Sequence, residues 1–128
     1  MPTRNPCQEI PRWVAAINDN PDSLHPDYTP AVHKLSGCGL AAAMAILPLL
    51  SSLKEPERLR AQRILEGVIK RRFGWKPAKG FPNYEAEQSY EAMLLLNGNY
   101  QATASEENRR QAIDKWNHWL SQNKDEHE

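Results

Sequence analysis

The sequence predicts an all-α domain of about six helices. Apolar residues recur at helical spacing, helix-starting and helix-ending residues bracket them, and the alternating β-branched runs typical of strands are absent. The connections between the predicted helices are short, which favours antiparallel helix pairs. At 128 residues, the chain is expected to form a single helical domain, 1–128, with a core of its own.

The N-terminal third is punctuated by proline and asparagine. A short helix is expected from about residue 8 to 18, and a turn-rich stretch with three prolines follows it up to residue 30. A second helix begins near Pro30 or Ala31, because proline suits the first helical turn. Gly37 and Gly39 are expected to break or bend this helix.

The third and fourth predicted helices differ in how they end and begin. The third covers roughly residues 40–52, and Pro48 should end it early or kink it. The fourth runs from Pro56 to about residue 72 and carries Glu57 in its first turn, where an acid suits the helix dipole. Its apolar residues that share one arc are Ala61, Ile64, Leu65, Val68 and Ile69.

The last two predicted helices follow a loop, 73–83, that is rich in glycine and proline. One spans residues 84–96 and stops at Asn97-Gly98, a pair suited to a left-handed cap. The other begins at Ser105, an N-cap residue, and continues to about residue 122. Trp116 falls on its apolar face and is expected in the core.

Composition narrows the classes of function. The net charge is zero, so bulk charge indicates no nucleic-acid or membrane partner. The N-terminal residues lack the apolar core of a signal peptide, and the apolar run 39–50 is shorter than the roughly 20 residues of a membrane span. We therefore expect a soluble, cytoplasmic protein. Its Cys7 and Cys38 could form one bridge but are expected to be reduced thiols.

Cys38 has two interpretations. A thiol at a helix N-terminus has a lowered pKa, and the C-G-x-A neighbourhood is loosely similar to that of papain-like peptidases, so Cys38 could be the nucleophile of a cysteine hydrolase. Such a nucleophile needs a histidine base, and none of the four histidines is oriented by its surroundings in the sequence. The favoured alternative is packing, because free cysteine is among the most buried residue types. In that case Cys38 joins a stripe with Ala42, Ala45 and Leu49.

One segment of the chain is strongly basic, although the net charge of the whole chain is zero. Between Arg58 and Lys79 there are eight Lys or Arg residues and a single acid, Glu66, and aromatic residues interleave with them. Such a segment can be a solvated helix face, a surface for an acidic protein, or a nucleic-acid site that holds phosphates and stacks bases. The candidate binding residues are Arg58, Arg60, Arg63, Lys70, Arg71, Trp75, Lys76 and Trp119.

Other chemistry has little support in the sequence. The histidines lack metal-ligand spacing such as H-x₃-H, so no metal is expected. No glycine-rich phosphate loop occurs, and no cofactor is expected. Trp119 lies at the edge of its helix's apolar face and is either the edge of the core or an exposed contact.

Three segments resemble known repeats. Residues 33–50 look like the second half of a HEAT repeat, residues 55–69 resemble the first helix of the next repeat, and residues 98–120 are similar to the W-x-x-W-L tail that follows HEAT-like repeats in some bacterial proteins. The residues that carry the resemblance are Leu35, Gly39, Ala42 or Ala43, Leu47 to Leu50, Arg60, Ala61, Ile64, Leu65, Trp116, Trp119 and Leu120.

The resemblance implies a short HEAT-like α-α superhelix that acts as a non-catalytic protein-interaction module. Its parts would be an N-terminal segment 1–30, HEAT-like helices 31–72, a C-terminal helical pair 84–122 and a frayed tail 123–128. About three repeats are usually needed for stability, so the terminal helices must cap the array or the protein must self-associate. The partner is therefore expected to be another protein or a second copy, with nucleic acid as the alternative.

Overall fold

The computed structural model describes residues 6–123 and confirms the all-α fold, with six α-helices in that range. The only β-type pairing there is an isolated bridge between Lys76 and Gly80. The helices are α1 (Ile10–Ala15), α2 (Pro30–Ser36), α3 (Leu40–Ile46), α4 (Glu55–Arg72), α5 (Tyr84–Leu96) and α6 (Glu106–Gln122). Apart from Asn123, the predicted frayed tail lies outside the described residues.

Side-chain caps fix the starts of three helices. Thr29 accepts a hydrogen bond from the Val32 amide at α2, Asn83 caps α5, and Ser105 caps α6 as predicted. The Thr29 hydroxyl also donates to the carbonyl oxygen of Ile17 at 2.8 Å. This residue therefore ties the start of α2 to the turn-rich stretch that precedes it.

The first predicted helix is shorter than expected, and the third ends early, just before Pro48, as predicted. The first consists of a 3₁₀ turn, Pro6–Glu9, followed by α1, which ends at Ala15 rather than near residue 18. The third, α3, ends at Ile46, and a second 3₁₀ helix, Leu47–Ser51, continues the chain. Pro48 is the second residue of that 3₁₀ helix. Because proline has no backbone N–H, it cannot donate the hydrogen bond that would continue α3.

Helix α4 occupies the centre of the fold. It packs against α2, α3, the 3₁₀ helix Leu47–Ser51 and α5, whereas α6 packs against α3 and Leu47–Ser51. The whole predicted apolar arc of α4 is buried, and α6 adds Ala112, Trp116 and Leu120 to the same core. Trp116 is 1% exposed, which confirms its predicted place in the core.

Cys7 and Cys38 form a disulfide, so the expectation of two reduced thiols is wrong for this structure. Their Cα atoms are 5.2 Å apart, because the 3₁₀ helix Pro6–Glu9 packs beside the turn that joins α2 to α3. The two cysteines are 31 residues apart in sequence. Only the packing of the N-terminal segment on α2 brings them together.

No helix among residues 6–123 is both long enough and apolar enough to cross a membrane. The apolar run that includes α3 is buried inside the domain instead, with Leu40, Ala42, Ala43 and Ile46 in its core.

Candidate binding surfaces

The basic segment divides into an inner and an outer part. Arg58 belongs to the inner part and is only 8% exposed. Its Nε donates to the carbonyl oxygen of Ala102 at 3.0 Å, and its Nη1 donates to that of Ser52 at 2.9 Å. Arg58 therefore joins the start of α4 to the segment before α6 and has little surface left for a partner.

Arg60 and Arg63 hold the turn-rich stretch against α4. Arg60 donates from Nε to the Pro26 carbonyl oxygen at 3.0 Å and from Nη1 to Asn18 Oδ1 at 2.7 Å. Arg63 lies between two carboxylates, with Nε 2.6 Å from Asp27 and Nη1 2.9 Å from Glu66. Burial alone would lower the pKa of Arg63, but the bonds and charges of these two carboxylates outweigh it and raise that pKa.

The outer part is built around Trp75, which follows α4. Lys70 Nζ lies 3.9 Å from the centroid of the Trp75 ring, and Arg71 Cζ lies 4.9 Å from it. Arg71 also donates from Nη1 to the Gly67 carbonyl oxygen at 2.9 Å, which fixes the guanidinium against the last turns of α4. We call Lys70, Arg71 and Trp75 the basic–aromatic cluster.

No carboxylate of the described residues forms a direct ion pair with the basic–aromatic cluster. Within residues 6–123, no carboxylate lies within 4.0 Å of Lys70 or Arg71. Burial lowers the pKa of Lys70, and the charge of Arg71 lowers it further, against the opposing charge of Glu66. Burial also lowers the pKa of Arg71. Two half-buried cations are thus held beside each other without a directly paired carboxylate, which favours an anion brought by a partner.

Lys76 and Lys79 extend this positive surface into the loop 73–83, where both are exposed. The Lys76 amide donates to the Gly80 carbonyl oxygen at 3.1 Å, and the Gly80 amide donates back at 2.8 Å. Phe81 packs its ring 5.4 Å from that of Tyr90 in α5. The loop therefore presents its lysines from a closed and anchored turn.

Trp119 lies elsewhere and does not join the cluster. It is half-buried, meets Trp116 edge to face at 5.8 Å, and has Arg72 Cζ 5.5 Å from its ring centroid. Beside it is an open groove of about 460 Å³ between the end of α5 and α6. The groove is lined by Leu96, Asn97, Asp114, Lys115, His118, Trp119 and Gln122.

Sequence reasoning missed the most exposed apolar residues of this region. Helix α5 contains no buried residue at all, although Tyr90, Met93 and Leu94 are partly covered by the core. Tyr84 and Leu96 are each 73% exposed, and Leu95 is 66% exposed. The triple leucine at residues 94–96 was a usable signal, because three consecutive apolar residues cannot all face one side of a helix.

The structure leaves Cys38 without a free thiol, since its sulfur is bonded to Cys7. His25 and His118 are exposed, and His33 is also exposed and stacks on Tyr28 with ring centroids 5.2 Å apart. His127 lies outside the described residues. No group of three or more His, Cys, Asp or Glu side chains in the described part of the chain is placed to hold a metal ion.

The chain has to be interpreted from its own residues. No protein-family model, curated protein or solved structure matches it. The resemblance of residues 33–50 and 55–69 to HEAT repeats therefore stays a prediction from the sequence.

Proposed function

We propose that this protein is a non-catalytic, HEAT-like protein-interaction module that binds an acidic segment of a partner protein. The proposed binding residues are the basic–aromatic cluster together with Lys76 and Lys79. One observation carries the proposal: Lys70 and Arg71 are half-buried around Trp75 with no carboxylate within 4.0 Å in the described range.

A partner's negative charge would offset the cost of partly burying Lys70 and Arg71. Removing a cation from water costs free energy unless an opposite charge or hydrogen bonds replace the lost hydration. A partner carboxylate placed against Lys70 and Arg71 would supply that charge, while Trp75 keeps both cations in position. Complementary charge of this kind also speeds association and selects the partner.

The inner arginines favour protein over nucleic acid as the partner. Arg58, Arg60 and Arg63 direct their donors to carbonyl and side-chain oxygens of the fold. What remains exposed is a short patch rather than a track of cations along a phosphate backbone. The Trp75 ring, on which a base could stack, also holds two cations of the protein itself.

The cytoplasm is the proposed location, and the cysteine pair tests it. Disulfides are rare in cytosolic proteins of mesophiles, where thiol reductants keep cysteines reduced. A cytoplasmic protein should therefore carry Cys7 and Cys38 as thiols in the cell. Alkylation of freshly lysed, acid-quenched cells would label both cysteines, whereas an oxidising compartment would leave both unlabelled.

The test of the function uses two defined probes in fluorescence anisotropy: a labelled decaglutamate peptide and a labelled 20-nucleotide single-stranded DNA. The first variant carries Lys70→Gln and Arg71→Gln. The matched control carries Lys54→Gln and Arg110→Gln, which remove the same charge from exposed positions near the starts of α4 and α6.

We expect the wild-type protein to bind the peptide with an affinity that falls as the salt concentration rises. Of the two double variants, only Lys70→Gln, Arg71→Gln should lower that affinity, by at least tenfold. Equal losses in both double variants would show non-specific charge attraction. Preferential binding of the oligonucleotide, with a salt slope, would move the assignment to nucleic acid. Circular dichroism confirms that each variant keeps its helices.

A further inference from the structure

The solvent side of α5 carries a stripe with apolar ends and a polar middle. Tyr84, Gln88, Glu91 and Leu95 are spaced by four, three and four residues, which places them on one line along the helix. All four are exposed. Leu96 continues the apolar end and forms one wall of the Trp119 groove.

We propose that two copies of this chain associate through α5, packed antiparallel about a two-fold axis. Tyr84 of each copy then lies on Leu95 and enters the groove beside Leu96 and Trp119 of the other copy. A two-fold axis makes this contact twice, because residue i meets residue j in both directions. The inference goes beyond the proposed function, and it uses none of the residues of the basic–aromatic cluster.

The register follows from the stripe itself. When Tyr84 of one copy faces Leu95 of the other in an antiparallel pair, Gln88 faces Glu91. The carboxylate of Glu91 then accepts from the side-chain amide of Gln88 and does not oppose its own symmetry mate. The same stripe paired in parallel would instead place Glu91 directly against Glu91 of the other copy, so that two like charges would oppose each other.

A charge near the start of α5 and a charge of α6 beside the groove are also complementary. Exposed Glu85 lies next to Tyr84, so it accompanies Tyr84 towards the groove of the other copy. Lys115 lines that groove together with Asp114, and within residues 6–123 neither Asp114 nor any other carboxylate lies within 4.0 Å of Lys115. The antiparallel arrangement therefore brings Glu85 of each copy towards Lys115 of the other.

The size of the contact sets the expected strength. Helix α5 has 13 residues, so it is about 20 Å long. A single pair of helices of that length, with one groove filled at each end, falls at the low end of specific interfaces, which bury roughly 1,200–2,000 Å². We expect a reversible dimer that forms at micromolar concentrations.

Sedimentation velocity of the full chain from about 1 to 500 μM tests the proposal. The expected result is a monomer–dimer equilibrium that Leu96→Ser weakens at least tenfold. Leu24→Ser and Leu53→Ser are the matched controls, because both leucines are exposed and neither belongs to α5. These two should leave the equilibrium within about twofold of the wild type. Circular dichroism excludes unfolding as the cause of any change.

A charge exchange tests the register separately. Glu85→Lys and Lys115→Glu should each weaken the dimer by at least threefold, and the variant that carries both should recover the wild-type affinity. A monomer at all concentrations overturns the proposal. So does a dimer that is indifferent to Leu96→Ser, or a double exchange that restores nothing.

Discussion

Gly67 of α4 lies directly against Ser36 at the end of α2. A Cβ atom built on Gly67 would come within 2.7 Å of both Cβ and Oγ of Ser36. Real side chains essentially never approach so closely, and Ser36 is fixed by its own hydrogen bond to the Val32 carbonyl oxygen at 2.7 Å. The absence of a side chain at residue 67 therefore sets the distance between these two helices.

Gly67→Ala is expected to lower the free energy of unfolding by about 1–2 kcal/mol, because overpacking outweighs the better helix propensity of alanine. Urea unfolding followed by circular dichroism measures it. Gly37→Ala is the control, since a Cβ there meets only the Lys34 carbonyl oxygen at 3.8 Å. Adding Ser36→Gly to Gly67→Ala should recover part of the loss, and a stable Gly67→Ala protein would contradict the close contact.

Arg58→Met is expected to lower the free energy of unfolding by about 2–4 kcal/mol. The change leaves the carbonyl oxygens of Ala102 and Ser52 without their charged donor. Arg110→Met, at an exposed site, should change stability by no more than about 0.5 kcal/mol. If both variants unfold at the same urea concentration as the wild type, Arg58 does not hold α4 to the segment before α6.

Loss of the disulfide is expected to destabilise the oxidised protein by about 3–4 kcal/mol. The bond closes a loop between residues 31 apart in sequence, which restricts the unfolded chain. The double variant Cys7→Ser, Cys38→Ser is compared with the wild type in urea, with and without dithiothreitol. The reductant should lower the unfolding midpoint of the wild type only. If the wild type reacts with two equivalents of Ellman's reagent under oxidising conditions, the disulfide does not form.

Alkaline pH is expected to weaken the fold through Tyr100. Burial raises the pKa of Tyr100 to about 12, against the opposing charges of Arg58 and Arg109, and the hydroxyl donates to the Leu50 carbonyl oxygen at 2.7 Å. The folded protein thus keeps this proton when the unfolded chain, with a pKa near 10, has lost it. The stabilisation is complete below about pH 10 and disappears as the pH rises towards 12.

The Tyr100→Phe variant isolates this effect. The difference in unfolding free energy between the wild type and the variant should shrink between pH 10 and 12, measured in urea at fixed salt. A difference that stays constant over that range would show that Tyr100 titrates alike in the folded and unfolded chains.

The helices were largely predictable because their signals are local. The bounds of α5 coincide with the prediction, since an asparagine cap precedes it and Asn97-Gly98 follows it. The binding residues were harder to predict. The basic segment looks continuous in sequence, yet the turns of α4 direct Arg58 into the protein and Lys70 towards Trp75.

Contacts between distant segments could not be predicted from local patterns. The disulfide depends on how the N-terminal 3₁₀ helix packs against α2, and no spacing of cysteines reveals that. The exposed stripe on α5 has the same cause. Which side of an amphipathic helix faces water depends on the neighbour that covers the other side, and here that neighbour is α4.

Because α4 is packed from several sides while α5 buries no side chain completely, the two helices should differ in amide hydrogen exchange. The amides of α4 can open only when its neighbours separate, so they should exchange through global unfolding. Those of α5 can open through a local fluctuation that leaves the core intact. If α5 is covered in a dimer, the protection of its amides should increase with protein concentration. Hydrogen exchange would then show which residues of α5 the second copy covers.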